Sequence, residues 1–182
     1  VDRVSSLIPK ERILILTNAL QAPEIAKLLP DFPAANIISE PEKRDTAPAI
    51  ALGIGLVAAR DPEATMVVLP SDQLIQDTAA YDQIMRASLA TAGASDLLLT
   101  IGIRPTWPCP SYGYVERGDA ITPFPGCGET RTHKVLRFTE KPDPQTAKGF
   151  LEAGTFSWNA GIFIWSIASV RKELETHCPE LA

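Results

Sequence analysis

Short unbroken apolar runs alternate along this chain with stretches of helical periodicity. Arg12–Thr17 carries Ile13-Leu14-Ile15-Leu16 and stops at Asn18, the pattern of a strand covered on both faces. Ile25, Leu28 and Leu29 then fall at i, i+3 and i+4 on a helix that begins at Pro23 and is ended by Pro30 and Pro33. Asn36–Ser39 predicts a second strand. Arg44–Pro48 opens the next helix, with Asp45 or Thr46 as cap and Pro48 in the first turn, and its continuation Ala49–Arg60 is small and apolar enough to be well buried. Thr65–Leu69 is a third strand, stopped by Pro70-Ser71-Asp72, and Ala79–Ala92 and Asp96–Ile103 add a helix and a fourth strand. After Arg104, Pro105, Pro108 and Pro110 impose an irregular loop. Tyr112–Arg117 follows as a strand with one wet face, and Lys134–Thr139 and Gly161–Trp165 as further strands, with a helix over Pro144–Ala153. Strands and helices alternating at this spacing predict the α/β class, with a mainly parallel mixed sheet and helices on both faces.

Composition narrows the partners. The 182 residues suit one domain, 1–182. A net charge of -5 argues against binding to the phosphate backbone of nucleic acid. The longest apolar stretch, Ala47–Ala59, is interrupted by Pro48, Gly53 and Gly55, too short for a bilayer span. Val1-Asp2-Arg3-Val4 has neither an initiator Met nor the layout of a signal peptide, so a cytoplasmic protein, as a fragment or a processed chain, is expected. Cys109, Cys127 and Cys178 have no C-x-x-C spacing and are expected as reduced thiols.

In open α/β sheets ligands sit beyond the carboxyl ends of strands, which directs attention to the residues after each apolar run. Glu40-Pro41-Glu42-Lys43-Arg44-Asp45-Thr46 leads into a helix N-terminus that can attract an anion or hold a polar ring, although alone it reads as ordinary capping. Asp72 can hold Mg2+ that bridges substrate phosphates, or simply shape a turn. Glu140-Lys141-Pro142 sets an acceptor for sugar hydroxyls beside a cation suited to phosphate, or else a surface ion pair. Trp158-Asn159-Ala160-Gly161 combines an aromatic, an amide and a glycine that permits close approach, or a core Trp before a bend. Gly53-Ile54-Gly55 reads as close helix packing, and His133 and His177 as structural or exposed.

Taken in order, E-P-x-x-R-D-T-A-P-A-I from Glu40, V-V-L-P-S-D-Q from Val67, F-T-E-K-P from Phe138 and W-N-A-G from Trp158 resemble the mannose-1-phosphate guanylyltransferases over nearly the whole chain. The resemblance implies a Rossmann-like nucleotide-diphospho-sugar transferase fold. It also implies attack of the sugar-1-phosphate oxygen on the α-phosphorus of GTP, giving GDP-mannose and pyrophosphate with Mg2+ as cofactor. Carried over by residue, Glu40, Arg44, Asp45, Thr46, Ala47 and Pro48 would border guanine and ribose, and Asp72 would ligate Mg2+. Tyr112 and Gly113 would line the sugar pocket, Glu140 would accept from sugar hydroxyls, Lys141 would contact phosphate and Asn159 would face mannose. Asp72 and Lys141 are thus the expected catalytic residues.

Three departures from the family pattern stand out. Nothing in Val1–Lys10 resembles its glycine-rich phosphate loop, no second metal-binding Asp follows the W-N-x-G strand, and Gln73 and Ser111 replace the usual His and Gly. The chain alone is therefore expected to be inactive or nearly so, and unpaired strand edges predict a homo-oligomer. Transfer to another base or sugar, and a non-catalytic nucleotide-sugar-binding module, are the alternative readings.

Overall fold

A computed structural model describes residues 1–42, 45–121 and 131–181. β1 (Ile15–Thr17), α1 (Ala22–Leu28) and β2 (Ile37–Ser39) form a parallel β-α-β unit in which Ile15 lies opposite Ile37. α2 (Thr46–Arg60) leads to β3 (Thr65–Val68), and α3 (Thr78–Gly93) to β4 (Leu99–Ile103). The chain continues through β5 (Tyr114–Ile121), β6 (Thr132–Thr139), α4 (Pro144–Ala153), β7 (Phe156–Ser166) and α5 (Ile167–His177). β1 is shorter than its apolar run because its partner β2 begins only at Ile37, opposite Ile15, after a 3-10 turn over Ala34–Asn36. The sequence pattern did not mark α5, although Ser166 caps it by accepting from the Ser169 N–H at 3.0 Å and Ile167 and Val170 bury its inner face.

α4 begins and ends where its local chemistry demands. Asp143 Oδ1 accepts from the Gln145 and Thr146 N–H groups, each at 3.0 Å, and Pro144 occupies the first turn. The Thr146 hydroxyl bond, followed by the backbone donors, holds the Asp143 carboxyl below the usual carboxylate range. Gly154 ends the helix in the left-handed region at φ 68°.

β7 organises the main sheet. On one edge it pairs with β4, Leu99 opposite Ile164 and Ile103 opposite Trp158. On the other edge it carries two neighbours in succession: β3 pairs with Phe163–Ser166 and β5 with Phe156–Trp158. All these pairings are antiparallel, as is that of β5 with β6. The α/β class with helices on both faces is what the sequence predicts, but the sheet is mixed in a particular way. β3 and β4 run in the same direction with β7 returning between them, so β1–β2 is the only parallel ladder among the described residues.

Strand alternation sorts the core. Val67, Leu69, Ile162 and Ile164 face Met85, Leu89 and Ala92 of α3 on one side. Met66, Val68 and Trp165 pack with Ile54 of α2 and Ile167 and Val170 of α5 on the other. A third cluster gathers Tyr114, Phe156, Ala147 and Phe150 under α4. Contrary to expectation, α2 is not well buried; only Gly53 and Ile54 are. It lies over both β1 and β3, which share no ladder among the described residues. A Cβ on Gly53 would lie 3.1 Å from Met66 Cε and 3.8 Å from Leu16 Cδ2, whereas one on Gly55 would meet nothing within 4 Å. Gly53 alone is therefore a packing glycine.

Between the segments of β7 that pair with β3 and β5, Gly161 adopts φ 68° and a Cβ there would approach Pro70 Cγ at 3.2 Å. Gly161→Ala is expected to cost about 1–2 kcal/mol from the left-handed backbone alone. The change should appear as a lower urea midpoint with an unaltered m-value.

Candidate active site

On the edge of β7 shared by β3 and β5, Asn159, Ala160, Gly161 and Ile162 lie outside both ladders. β3 runs toward this interruption from one side, and β5 starts from the other. Residues immediately after β3 and immediately before β5 are thereby brought against the same interruption, although they are about 40 residues apart in sequence. The Asn159 N–H donates to the Gly113 carbonyl at 2.8 Å, and Asn159 Oδ1 accepts from the Gly161 N–H at 3.0 Å and the Thr100 hydroxyl at 3.4 Å. These contacts fix the amide plane of Asn159.

Gly113 is the close-approach position. A Cβ there would fall 2.6 Å from Glu140 Oε2 and 3.5 Å from Asn159 Cβ, so any side chain would displace the carboxylate. Gly113, Glu140 and Asn159, three of the residues assigned to the sugar, are thus neighbours in space. Glu140 and Lys141 are each about two-thirds exposed and form an ion pair at 3.3 Å. Such an exposed pair contributes little in water. Lys141 is also the one non-glycine with positive φ, 43°, among the described residues, held between Glu140 and the buried Pro142. Left-handed backbone in a lysine marks a position whose surroundings dictate its conformation, a feature concentrated at functional sites.

Tyr112 is placed differently. Its ring meets Trp158 edge-on at 5.2 Å and Trp107 at 6.4 Å, and Trp158 packs with the Tyr114 and Phe156 cluster. Strand alternation puts that cluster on the face of β7 opposite Asn159. Gly113, not the Tyr112 ring, makes the approach to Asn159.

The turn after β3 carries Asp72, which is exposed. Gln73 Nε2 donates to the Ala160 carbonyl at 2.5 Å, docking this turn on the interruption in β7. No three His, Cys, Asp or Glu side chains gather into an all-protein metal cage among the described residues. A lone exposed carboxylate does fit magnesium, a hard cation that keeps several waters and takes one or two carboxylates together with substrate phosphates.

Across Ser71 from this group, a cavity of about 330 Å3 opens beyond the carboxyl ends of β1 and β2, lined among others by Thr17, Asn18, Gln21 and Glu40. Glu40 is tied there by its N–H to the Thr17 carbonyl at 2.7 Å. Gln21 Oε1 accepts from Thr17 Oγ1 and Asn18 Nδ2, both at 3.1 Å, which orients its amide on the cavity wall. Asp45 occupies the N-cap of α2 without a side-chain capping bond, with Thr46, Ala47 and Pro48 following in the first turn. Arg44 lies outside the described residues. Sequence reading missed Gln21, Thr100 and Gln73. Their roles are hydrogen bonds across 3 to 87 positions, and only the T-N-x-x-Q cluster after β1 offered a local cue.

The arrangement holds a cavity of mixed polar and apolar lining, a carboxylate on a turn, and a carboxylate, amide and lysine around a close-approach glycine. The sequence pattern of the nucleotidyl transferase family matches residues 4–182. Over 176 residues the chain is 39% identical to a mannose-1-phosphate guanylyltransferase of Sinorhizobium fredii, covering 92% of this chain and 32% of that protein. It is 35% identical over 189 residues to the mannose-1-phosphate guanylyltransferase RfbM of Salmonella typhimurium, covering 100% of this chain and 37% of RfbM. A crystal structure from Thermus thermophilus, described as a mannose-1-phosphate geranyltransferase, superposes with a TM-score of 0.84 at 28% identity, over 99% of this chain and 50% of that one. The chain therefore spans about a third of the length of these curated relatives. It belongs to the nucleotidyl transferase family.

Proposed function

We propose that this chain is the nucleotidyltransferase unit of an enzyme that joins GTP and mannose 1-phosphate into GDP-mannose with release of pyrophosphate. The observation that carries this reading is the convergence of the Asp72 turn, Gly113, Glu140 and Asn159 on the interruption in β7, next to the cavity bordered by Glu40. The relatives named for this transfer support the choice of base and sugar.

In this reading Glu40 accepts from the guanine edge, and the first turn of α2, with Arg44 and Asp45 before it, borders the ribose. Glu140 accepts from mannose hydroxyls while Asn159, its Oδ1 already engaged, presents its NH2 to the sugar. Lys141 leaves Glu140 for the sugar phosphate and holds its oxygen toward the α-phosphorus; as that P–O bond forms, the bond to the pyrophosphate oxygen breaks. Asp72 would hold Mg2+, which when bound offsets the charge on the phosphates. No protein nucleophile is required, because nucleotidyl transfer depends on alignment and charge neutralisation.

We place the reaction in the cytoplasm, in keeping with the free thiols of Cys109 and Cys178 and with the absence of a membrane-length apolar helix among the described residues. The unit is proposed to self-associate through β6, whose Leu136 and Phe138 are 62% and 54% exposed. Sedimentation at micromolar concentration should show dimers or larger species, and a monomer throughout would reject that proposal.

Two substitutions test the site by calorimetric titration. Asp72→Asn is expected to weaken Mg2+-dependent GDP-mannose binding about tenfold and to leave the unfolding midpoint unchanged, since an exposed turn carboxylate adds little to the core. Equal affinity with and without Mg2+ would remove Asp72 from the reaction. Glu140→Gln should weaken GDP-mannose by about ten- to a hundredfold, the loss of charge-assisted hydrogen bonds, with GDP unaffected. A parallel loss for both ligands would make Glu140 a structural residue.

A further inference from the structure

Arg3 lies far from the site motifs in sequence, yet its side chain ends on the turn that carries Asp72. It sits half-buried in the 3-10 turn Asp2–Val4. Its Nη2 donates to the Pro70 carbonyl and its Nη1 to the Gln73 carbonyl, the latter at 3.1 Å. These two carbonyls bracket Ser71-Asp72. A planar guanidinium fixes the spacing and direction of two acceptors at once, which an ammonium on a flexible stem does not.

The base of Arg3 is itself anchored. Val4 is buried, Ser6 Oγ donates to Asp82 Oδ1 of α3 at 2.8 Å, and Arg86 Nη2 donates back to the Ser6 carbonyl at 3.3 Å. Tyr81, on the same helix, has a buried hydroxyl whose titration is pushed up by burial and opposed by the nearby Arg3 charge. On the opposite side the turn is held by β7, through Gln73 on the Ala160 carbonyl and Pro70 against Gly161. The turn is therefore clamped from two directions, with the hydrogen bonds from the α3 side made by Arg3 among the described residues.

We propose that Arg3 is a positioning residue for the active site: its fork on the Pro70 and Gln73 carbonyls sets the orientation from which the Asp72 carboxylate meets a nucleotide phosphate and its divalent cation. This rests on the role given to Asp72 above. Without the fork the turn keeps its β7 anchor and the core clusters stay intact, but Ser71-Asp72 is freed to hinge.

The test compares the wild-type chain with Arg3→Lys and Arg3→Gln by amide hydrogen exchange at residues 71–73 and by titration with GDP, with and without Mg2+. Exchange at these amides should rise about tenfold or more in both variants, lysine failing to rescue because charge without the fork is insufficient. The Mg2+-dependent gain in GDP affinity should fall by a similar factor, with Mg2+-free affinity and the urea midpoint of Arg3→Lys unchanged. Unchanged exchange, rescue by lysine, or faster exchange with the full Mg2+-dependent gain would each overturn the role of Arg3. A wild-type chain that gains no GDP affinity from Mg2+ would instead refute the reading of Asp72, and with it the positioning role, before any variant is compared.

Discussion

A strand that serves two successive neighbours along one edge must be left without a ladder where those neighbours meet, and its backbone groups there have to find other partners. In β7 that place is Asn159–Ile162. The Asn159 N–H goes to the Gly113 carbonyl, the Ala160 carbonyl takes the Gln73 amide, and the Gly161 N–H is closed by the side chain of Asn159 itself. Each of these bonds pins a segment that carries a candidate functional group. Satisfying the interrupted strand and assembling the site are the same set of contacts, so the site depends on the gap between β3 and β5 more than on any one residue in it.

This dependence explains why the site is both ordered and open. Below it the clusters around Ile162, Ile164 and Met85 and around Trp165 and Ile167 hold β7 rigidly between helices. Above it Asp72, Glu140 and Lys141 stand in solvent, and the single ion pair among them is weak. In the proposed reaction these groups exchange water and each other for phosphate and hydroxyl oxygens, and they are carried by backbone hydrogen-bonded to β7. The left-handed Lys141 and Gly161, on either side of Asn159, are where the chain bends to achieve it.

Most elements were legible because their cues are local. α4 follows from Asp143-Pro144 at one end and Gly154 at the other, and the buried strands from apolar runs stopped by polar turns. α5 was missed although Ser166, Ile167 and Val170 spell a cap and a buried face, because it follows β7 with no breaker between them. The four motifs were readable as a family resemblance, and the family match agrees with it. The resemblance set Tyr112 beside Gly113 at the sugar; in the fold Gly113 approaches Asn159, while the Tyr112 ring, before β5 begins, lies edge-on to Trp107 and Trp158.

The sequence by itself determined the class of fold, the helices and strands with local start and stop signals, and the chemistry of the side chains after each strand. The tertiary structure alone decided that β7 returns between β3 and β4, which residues converge on its interruption, and that Arg3 and Gln73 clamp the Asp72 turn from opposite sides. The physical reason is separation: capping and periodicity act within a few residues and leave a local trace, whereas these hydrogen bonds join backbone and side chains 67 to 87 positions apart and exist only once the core has brought them together.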